Sequence, residues 1–218
     1  MVMDKAESSR SVGLDDLGGE GWNLVVGGLG QYRLAGLPGG AQLWGSYVWN
    51  GDFTDLGGGQ LLNLRSGAGL ALESESWNVS GSVWQYVQVL EDVPEGPLHL
   101  HDGQPDLRGW GVFLIWGVAD ENTNPFHWSL AAGVGGRGLI PGREDDVVGI
   151  GYFYNQLQQS GVVDRTIDLR DGEQGFEVFY EAALTPWLHL TPDLQVVEPG
   201  PGENDIAVIL GLLLLMDF

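Results

Sequence analysis

Long stretches of this chain alternate apolar and polar residues at period two. In 77–90, Trp77, Val79, Val83, Val87 and Val89 fall on one side, and Asn78, Ser80, Ser82, Trp84, Tyr86 and Gln88 on the other. In 174–185, Phe176, Val178, Tyr180, Ala182 and Leu184 oppose Glu177, Phe179, Glu181 and Ala183. In 188–197, Leu188, Leu190, Leu194 and Val196 oppose His189, Thr191, Asp193 and Gln195. Side chains alternate faces along a strand, so each segment reads as a strand with one apolar and one polar face. No helical period of comparable length competes with this pattern.

Composition agrees. Gly makes up 36 of 218 residues, where average usage is about one in fourteen. In a helix interior each Gly costs roughly 1 kcal/mol relative to Ala. The nine Trp, six Tyr and seven Phe suit strands better. The expectation is all-β, with strands near 21–34, 41–53, 77–90, 108–119, 127–136, 147–157, 174–185, 188–197 and 205–218. Turn chemistry separates them at AGLPGG, ENTNP, IPGRED and VEPGPGEN. Residues 1–20 are polar and acidic and read as a flexible arm, with 21–218 as a single domain.

These segments run to 10–14 residues, longer than the five or six usual in soluble sheets. Aromatics gather near their ends, at Trp22, Trp49, Trp77, Tyr152, Tyr154 and Phe218. A transmembrane barrel needs strands of about 9–11 residues, apolar outside, with aromatic girdles at both interfaces. The pattern therefore favours an antiparallel outer-membrane β-barrel of about eight to ten strands over a soluble sandwich. No apolar run reaches the ~18–20 residues of a membrane helix. The opening MVMDKAESSR lacks the apolar stretch of a secretory leader. The closing AVILGLLLLMDF reads as a last strand, with Val208, Leu210, Leu212, Leu214, Met216 and Phe218 on its lipid side.

Charge narrows the partners. Thirty acidic residues against nine basic ones give a net charge of −21. That opposes binding to nucleic acid phosphates or to an anionic membrane surface. With no Cys, disulfides and thiolate metal sites are excluded. GVGGRG contains a G-x-G-x-x-G spacing at Gly133, Gly135 and Gly138, but LIPGREDD follows it, not a helix, so it reads as a strand entering a turn. HLHD places His99 and His101 beside Asp102 in a Pro- and Gly-rich connection that reads as a solvated loop, as do REDD and ESES. The four His sit in no nucleophile-elbow context. The expectation is no enzyme, no metal and no cofactor.

Three stretches carry a family resemblance. They are DLRGWGVFLIWGVADENTNPFHWSLAAGVGGRGLIPGREDDVVGIGYFYN, QGFEVFYEAALTPWLHLTPDLQVVEPG and DIAVILGLLLLMDF. Together they resemble the C-terminal half of the carbohydrate-selective porins (OprB-like) of the bacterial outer membrane. GLDDLGGEGWNLVVGGLGQYRLAGLPGG resembles the stretch just upstream. The resemblance implies an integral outer-membrane barrel, passive diffusion of small sugars, lipid or detergent around it, and a terminal aromatic read by the insertion machinery. It also implies a longer relative of about sixteen strands, of which a truncated or engineered half would be completed by a second chain or by a homo-oligomer.

Read on that barrel, the inward set is Gln42, Ser46, Ser80, Ser82, Ile115, Glu177, Glu181, His189, Asp193, Gln195, Leu213 and Leu215. At Ile115 and Leu213 the family typically has Arg, so the inner face here is expected to be acidic and cation-tolerant. An alternative, motivated by Ile115, Leu213 and Leu215, is a closed structural or engineered barrel without transport.

Overall fold

In a computed structural model, the described residues are 2–4, 21–56, 71–96, 98, 100–101, 104–105, 107–158 and 170–216. Within them there are strands and no helices. Fourteen strands form: β1 (Val2–Asp4), β2 (Trp22–Leu34), β3 (Leu37–Trp49), β4 (Phe53–Thr54), β5 (Leu72–Glu73), β6 (Ser76–Val89), β7 (Leu100–His101), β8 (Gln104–Pro105), β9 (Gly109–Ala119), β10 (Phe126–Arg137), β11 (Val147–Leu157), β12 (Gly172–Thr185), β13 (Leu188–Glu198) and β14 (Ala207–Met216). Ten make one sheet in the order β1-β2-β3-β6-β9-β10-β11-β12-β13-β14, with every pairing antiparallel. Strands β4–β5 and β7–β8 are separate two-stranded ribbons in the connections. Each long strand pairs with its neighbour in sequence, the all-antiparallel meander of an outer-membrane barrel. Among the described residues no strand pairs with the outer edge of β1 or β14.

Nine long strands thus stand where the alternation places nine. The second differs by four residues, 37–49 instead of 41–53. AGLPGG reads as a six-residue separator, but the turn needs only Ala35 and Gly36, at φ of 51° and 83°. LPGG opens β3. Pro38 is tolerated next to the strand start, where a missing N–H costs least. A second correction concerns β6. A bulge between Tyr86 and Gln88 breaks the alternation, so Gln88 pairs with Trp110, while Val89 pairs with Gly109. Three residues of the expected arm, Val2–Asp4, pair with Trp22–Leu24.

The sheet has almost no core. Leu98, Leu107 and Ala119 are the buried apolar residues among those described, and no side chain there is fully enclosed. A soluble sandwich interdigitates the inner faces of two sheets; here one layer exposes both faces. Leu210 is 81% exposed, Leu212 71% and Val208 66%. Burying a side chain of this kind contributes about 1.5–3 kcal/mol. A few such residues left in water would forfeit much of a domain's whole stability of about 5–15 kcal/mol.

Register carries side chains consistently to one of two faces. The first face holds Trp22, Leu24, Val26 and Tyr32 of β2, and Leu43, Tyr47 and Trp49 of β3. It continues through Trp77, Val79 and Val83 to Trp110, Val112, Leu114, Trp116 and Val118. It runs on through Leu130, Val134, Ile150, Phe176 and Val178 to Leu194, Val196 and the even-numbered residues 208–216 of β14. Along β2, β3, β6 and β9–β14 its one charged residue is Glu198, at the end of β13, bonded by Gln174 at 2.7 Å. The opposite face is mixed.

Several of the strand glycines leave room for aromatic rings. On the mixed face Trp44 lies over its cross-strand partner Gly27, where a Cβ would overlap the ring. Phe179 lies in the same way over Gly149. A Cβ on Gly40 would come 2.6 Å from Trp84, one on Gly133 2.6 Å from Phe113, and one on Gly175 2.8 Å from Phe153. Each of these glycines is the direct register partner of its ring. The rings lie flat on the backbone, covering strand positions that have no side chain of their own.

Candidate functional site: the mixed face of the sheet

All twelve residues expected to point inward lie on the mixed face, Ile115 on β9 and the other eleven in two sectors. The first, on β3 and β6, is neutral and polar. Gln42 pairs with Ser82, Ser80 with Trp44 and Ser46 with Asn78. The Asn78 amide donates to the Ser46 hydroxyl at 2.6 Å. The second sector, on β12–β14, is acidic. Glu177 pairs with Gln195, and Asp193 with Phe179 on one side and Gly211 on the other. Gln195 Nε2 donates to Asp193 Oδ2 at 2.8 Å. The Asp193 carboxylate lies against Gly211, where a Cβ would collide with it. Glu177, Phe179, Thr191, Asp193, Gly211 and Leu213 line a shallow groove of about 280 Å³.

One of the inner carboxylates meets an imidazole: His189 Nδ1 is 2.8 Å from Glu181 Oε1. Residues two strand positions apart share a face, and His189 lies on the next strand opposite Ala183, so the two meet. Ile115, Leu213 and Leu215 do not form one apolar patch. Ile115 lies between Ser82 and Ala131 on β9. Leu213 and Leu215 lie opposite Thr191 and His189 on β14, five strands away in the sheet.

Among the described residues, arginines stand only at strand ends or in connections: Arg33, Arg108, Arg137, Arg143 and Arg170. Four of the five are at the end that carries the two-residue turns 35–36 and 186–187. There Arg143 and Asp146 order the GRGLIPGRED connection. Asp146 is buried, and its carboxylate accepts from Arg143 Nε at 2.6 Å, from the Tyr180 hydroxyl, and from the Ala183 amide at 3.0 Å. Burial alone would raise its pKa, but these donors outweigh that and hold it below the usual carboxylate value. Arg137 pairs with Asp145 at 2.9 Å. REDD is thus a paired latch and not a solvated tip. Gly133 and Gly135 lie within β10 and Gly138 in the turn that follows, so no helix opens at GVGGRG.

Of the six aromatics expected at strand ends, Trp22, Trp49 and Trp77 stand at one end of the apolar face. Trp22 stacks on Trp49 with centroids 6.5 Å apart. Tyr154 lies toward the same end, 5.0 Å from Trp128. Tyr152 is the middle residue of β11, not an end residue, and its hydroxyl donates to Gln174 at 2.5 Å. Phe218 lies outside the described residues, as do His99 and Asp102 of HLHD. Sequence reading missed Trp44, Phe113 and Phe153 on the mixed face, because nothing local announces a glycine waiting on the adjacent strand.

The comparisons with known proteins agree with this geometry. A high-pH structure of Pseudomonas putida OprB matches with a TM-score of 0.75 at 21% identity, covering 94% of this chain and 50% of that one. A low-pH structure of the same porin matches with a TM-score of 0.56 at 17% identity, covering 91% and 47%. The chain thus spans about half the length of these solved relatives. No curated protein matches. The carbohydrate-selective porin, OprB family, matches over residues 17–218. This chain, an all-antiparallel sheet with one apolar and one mixed face, belongs to the carbohydrate-selective porin, OprB family.

Proposed function

We propose that this chain forms an outer-membrane pore whose apolar face meets lipid and whose mixed face lines a water-filled lumen for small solutes, sugars by family. The observation that carries this reading is the segregation of faces across nine long strands. Ten residues at about 3.3 Å each, tilted by about 40°, rise roughly 25 Å, the height of the apolar band of such barrels. Trp22, Trp49, Trp77 and Tyr154 then serve as an interfacial girdle. Residues 21–218 act as the barrel unit, and Val2–Asp4 add a short strand at its β2 edge. Lipid cannot satisfy an open backbone edge. In this reading the edges of β1 and β14 therefore close on each other, or on strands of another segment or a second copy.

The lumen is acidic and passes cations. Glu173, Glu177, Glu181 and Asp193 lie on the mixed face, and no described Lys or Arg lies there away from the strand ends. Acidic rings favour cations. Planar-bilayer recording in asymmetric KCl tests this: the reversal potential should fall on the cation side, and anion preference or absence of conductance would refute it.

A second reading, a closed structural barrel without transport, draws on Ile209, Leu213 and Leu215, which give β14 an apolar inner face. Liposome swelling with small sugars separates the two. Rapid swelling supports the pore; none supports the closed barrel.

A further inference from the structure

We infer that the connection between β6 and β9 is a strap that narrows one mouth of the pore, positioned there by Gln31 and Arg33. The inference rests on the pore reading above. Strands β6 and β9 are direct neighbours, with Val89 opposite Gly109. At this same end of the sheet two residues join β2 to β3 and β12 to β13, at 35–36 and 186–187, and nine join β10 to β11. Here Pro94, Gly96 and Leu98 of the connection instead reach past β3 to β2, two strand spacings or about 10 Å away.

The anchor is specific. Gln31 Oε1 accepts from the Leu98 amide at 2.7 Å, and Gln31 Nε2 donates to the Leu98 carbonyl at 2.9 Å. One side chain thus satisfies both backbone groups of Leu98, as a neighbouring strand would. Arg33 Nη2 donates to the carbonyls of Pro94 and Gly96, the latter at 3.1 Å. At the returning end, the Tyr86 hydroxyl donates to the Leu107 carbonyl at 3.1 Å, and Glu91 accepts from the Arg108 amide at 2.7 Å.

Burial points the same way. In a sheet with almost no core, Leu98 and Leu107 are only 9% and 6% exposed. Gln31 and Arg33 lie on the mixed face by register, opposite Gly40 and Pro38. Gln31 is three residues inside the strand end at Leu34, about 10 Å below the rim. The strap therefore crosses within the mouth, over the inner face, and does not loop outside it. Gln31 and Arg33 are positioning residues: they set the size of solute that passes by holding Leu98, Pro94 and Gly96 in place.

The test uses the full chain in planar bilayers, with folding checked by heat-modifiable mobility. Gln31→Ala and Arg33→Ala should roughly double single-channel conductance and admit larger neutral polymers, because conductance follows open area and a chain is about 5 Å thick. Arg33→Lys, which keeps a donor for the two carbonyls, should stay near wild type. The unaltered chain supplies a second measurement. Polyethylene glycols should enter less deeply from the mouth with the two-residue turns than from the other. Unchanged conductance and cutoff in both alanine variants, or symmetric polymer entry, would overturn the strap and leave the pore reading intact. A silent wild type whose variants conduct would support the strap as a plug and refute the open pore. Silence in all would refute both.

Discussion

Gly27 and Gly28 are adjacent and meet opposite demands. A Cβ on Gly27 would overlap the Trp44 ring, whereas nothing lies within 4 Å of a Cβ on Gly28. Overpacking of this kind costs typically about 1–3 kcal/mol. Gly27→Ala should therefore lose stability of that order, and Gly28→Ala should stay within about 0.5 kcal/mol of wild type. Reversible urea unfolding in detergent or lipid measures both. Asp146 gives a pH signature at the same scale. Its folded pKa lies below the ordinary 3.8, so its contribution is present above that value and is lost as pH falls through the depressed one. Proteolysis of the 138–146 connection should thus rise in strong acid for wild type. Asp146→Asn should be more susceptible at neutral pH and show little further change on acidification. Alternation made the faces legible at the level of single residues. It did not reveal the glycine beneath each ring, or the meeting of Glu181 with His189, because both depend on the register of two strands.

Strands were the most legible elements, since a period of two sustained over ten or more residues fits an extended chain and no helix. The misplaced start of β3 came from turn-forming residues that lie inside a strand. Pro38, Gly39 and Gly40 look like punctuation, yet Gly39 and Gly40 make space for Tyr32 and Trp84. Pro192 shows how a central strand accommodates proline. The β12–β13 ladder runs to Phe179–Asp193 and resumes at Ala182–Leu190, leaving out two positions, one of them Pro192, which has no N–H to give. The turn at Ala35–Gly36 retains strain, because Ala35 sits at φ 51° where a non-glycine residue is disfavoured. Asn suits that position in a two-residue hairpin. Ala35→Asn should raise stability by roughly 0.5 kcal/mol, read as a higher urea midpoint at an unchanged slope.

At the scale of the whole molecule, composition and net charge were legible as a class: glycine-rich, aromatic, acidic and without a membrane helix. The path of the β6–β9 connection was not, because nothing in PEGPL signals that Gln31, far upstream, will take hold of Leu98. The acidic sector has a direct electrical consequence. Glu177→Gln with Asp193→Asn should lower cation preference in asymmetric KCl while leaving the fold heat-modifiable. The central claim is that one face of this sheet meets lipid and the other meets water. The chain contains no cysteine, so single cysteines can be placed along β12 without background. After reconstitution into lipid vesicles, a water-soluble maleimide should label Glu177→Cys and Phe179→Cys and spare Phe176→Cys and Val178→Cys. Uniform labelling of the four, or the reverse alternation, would contradict the account.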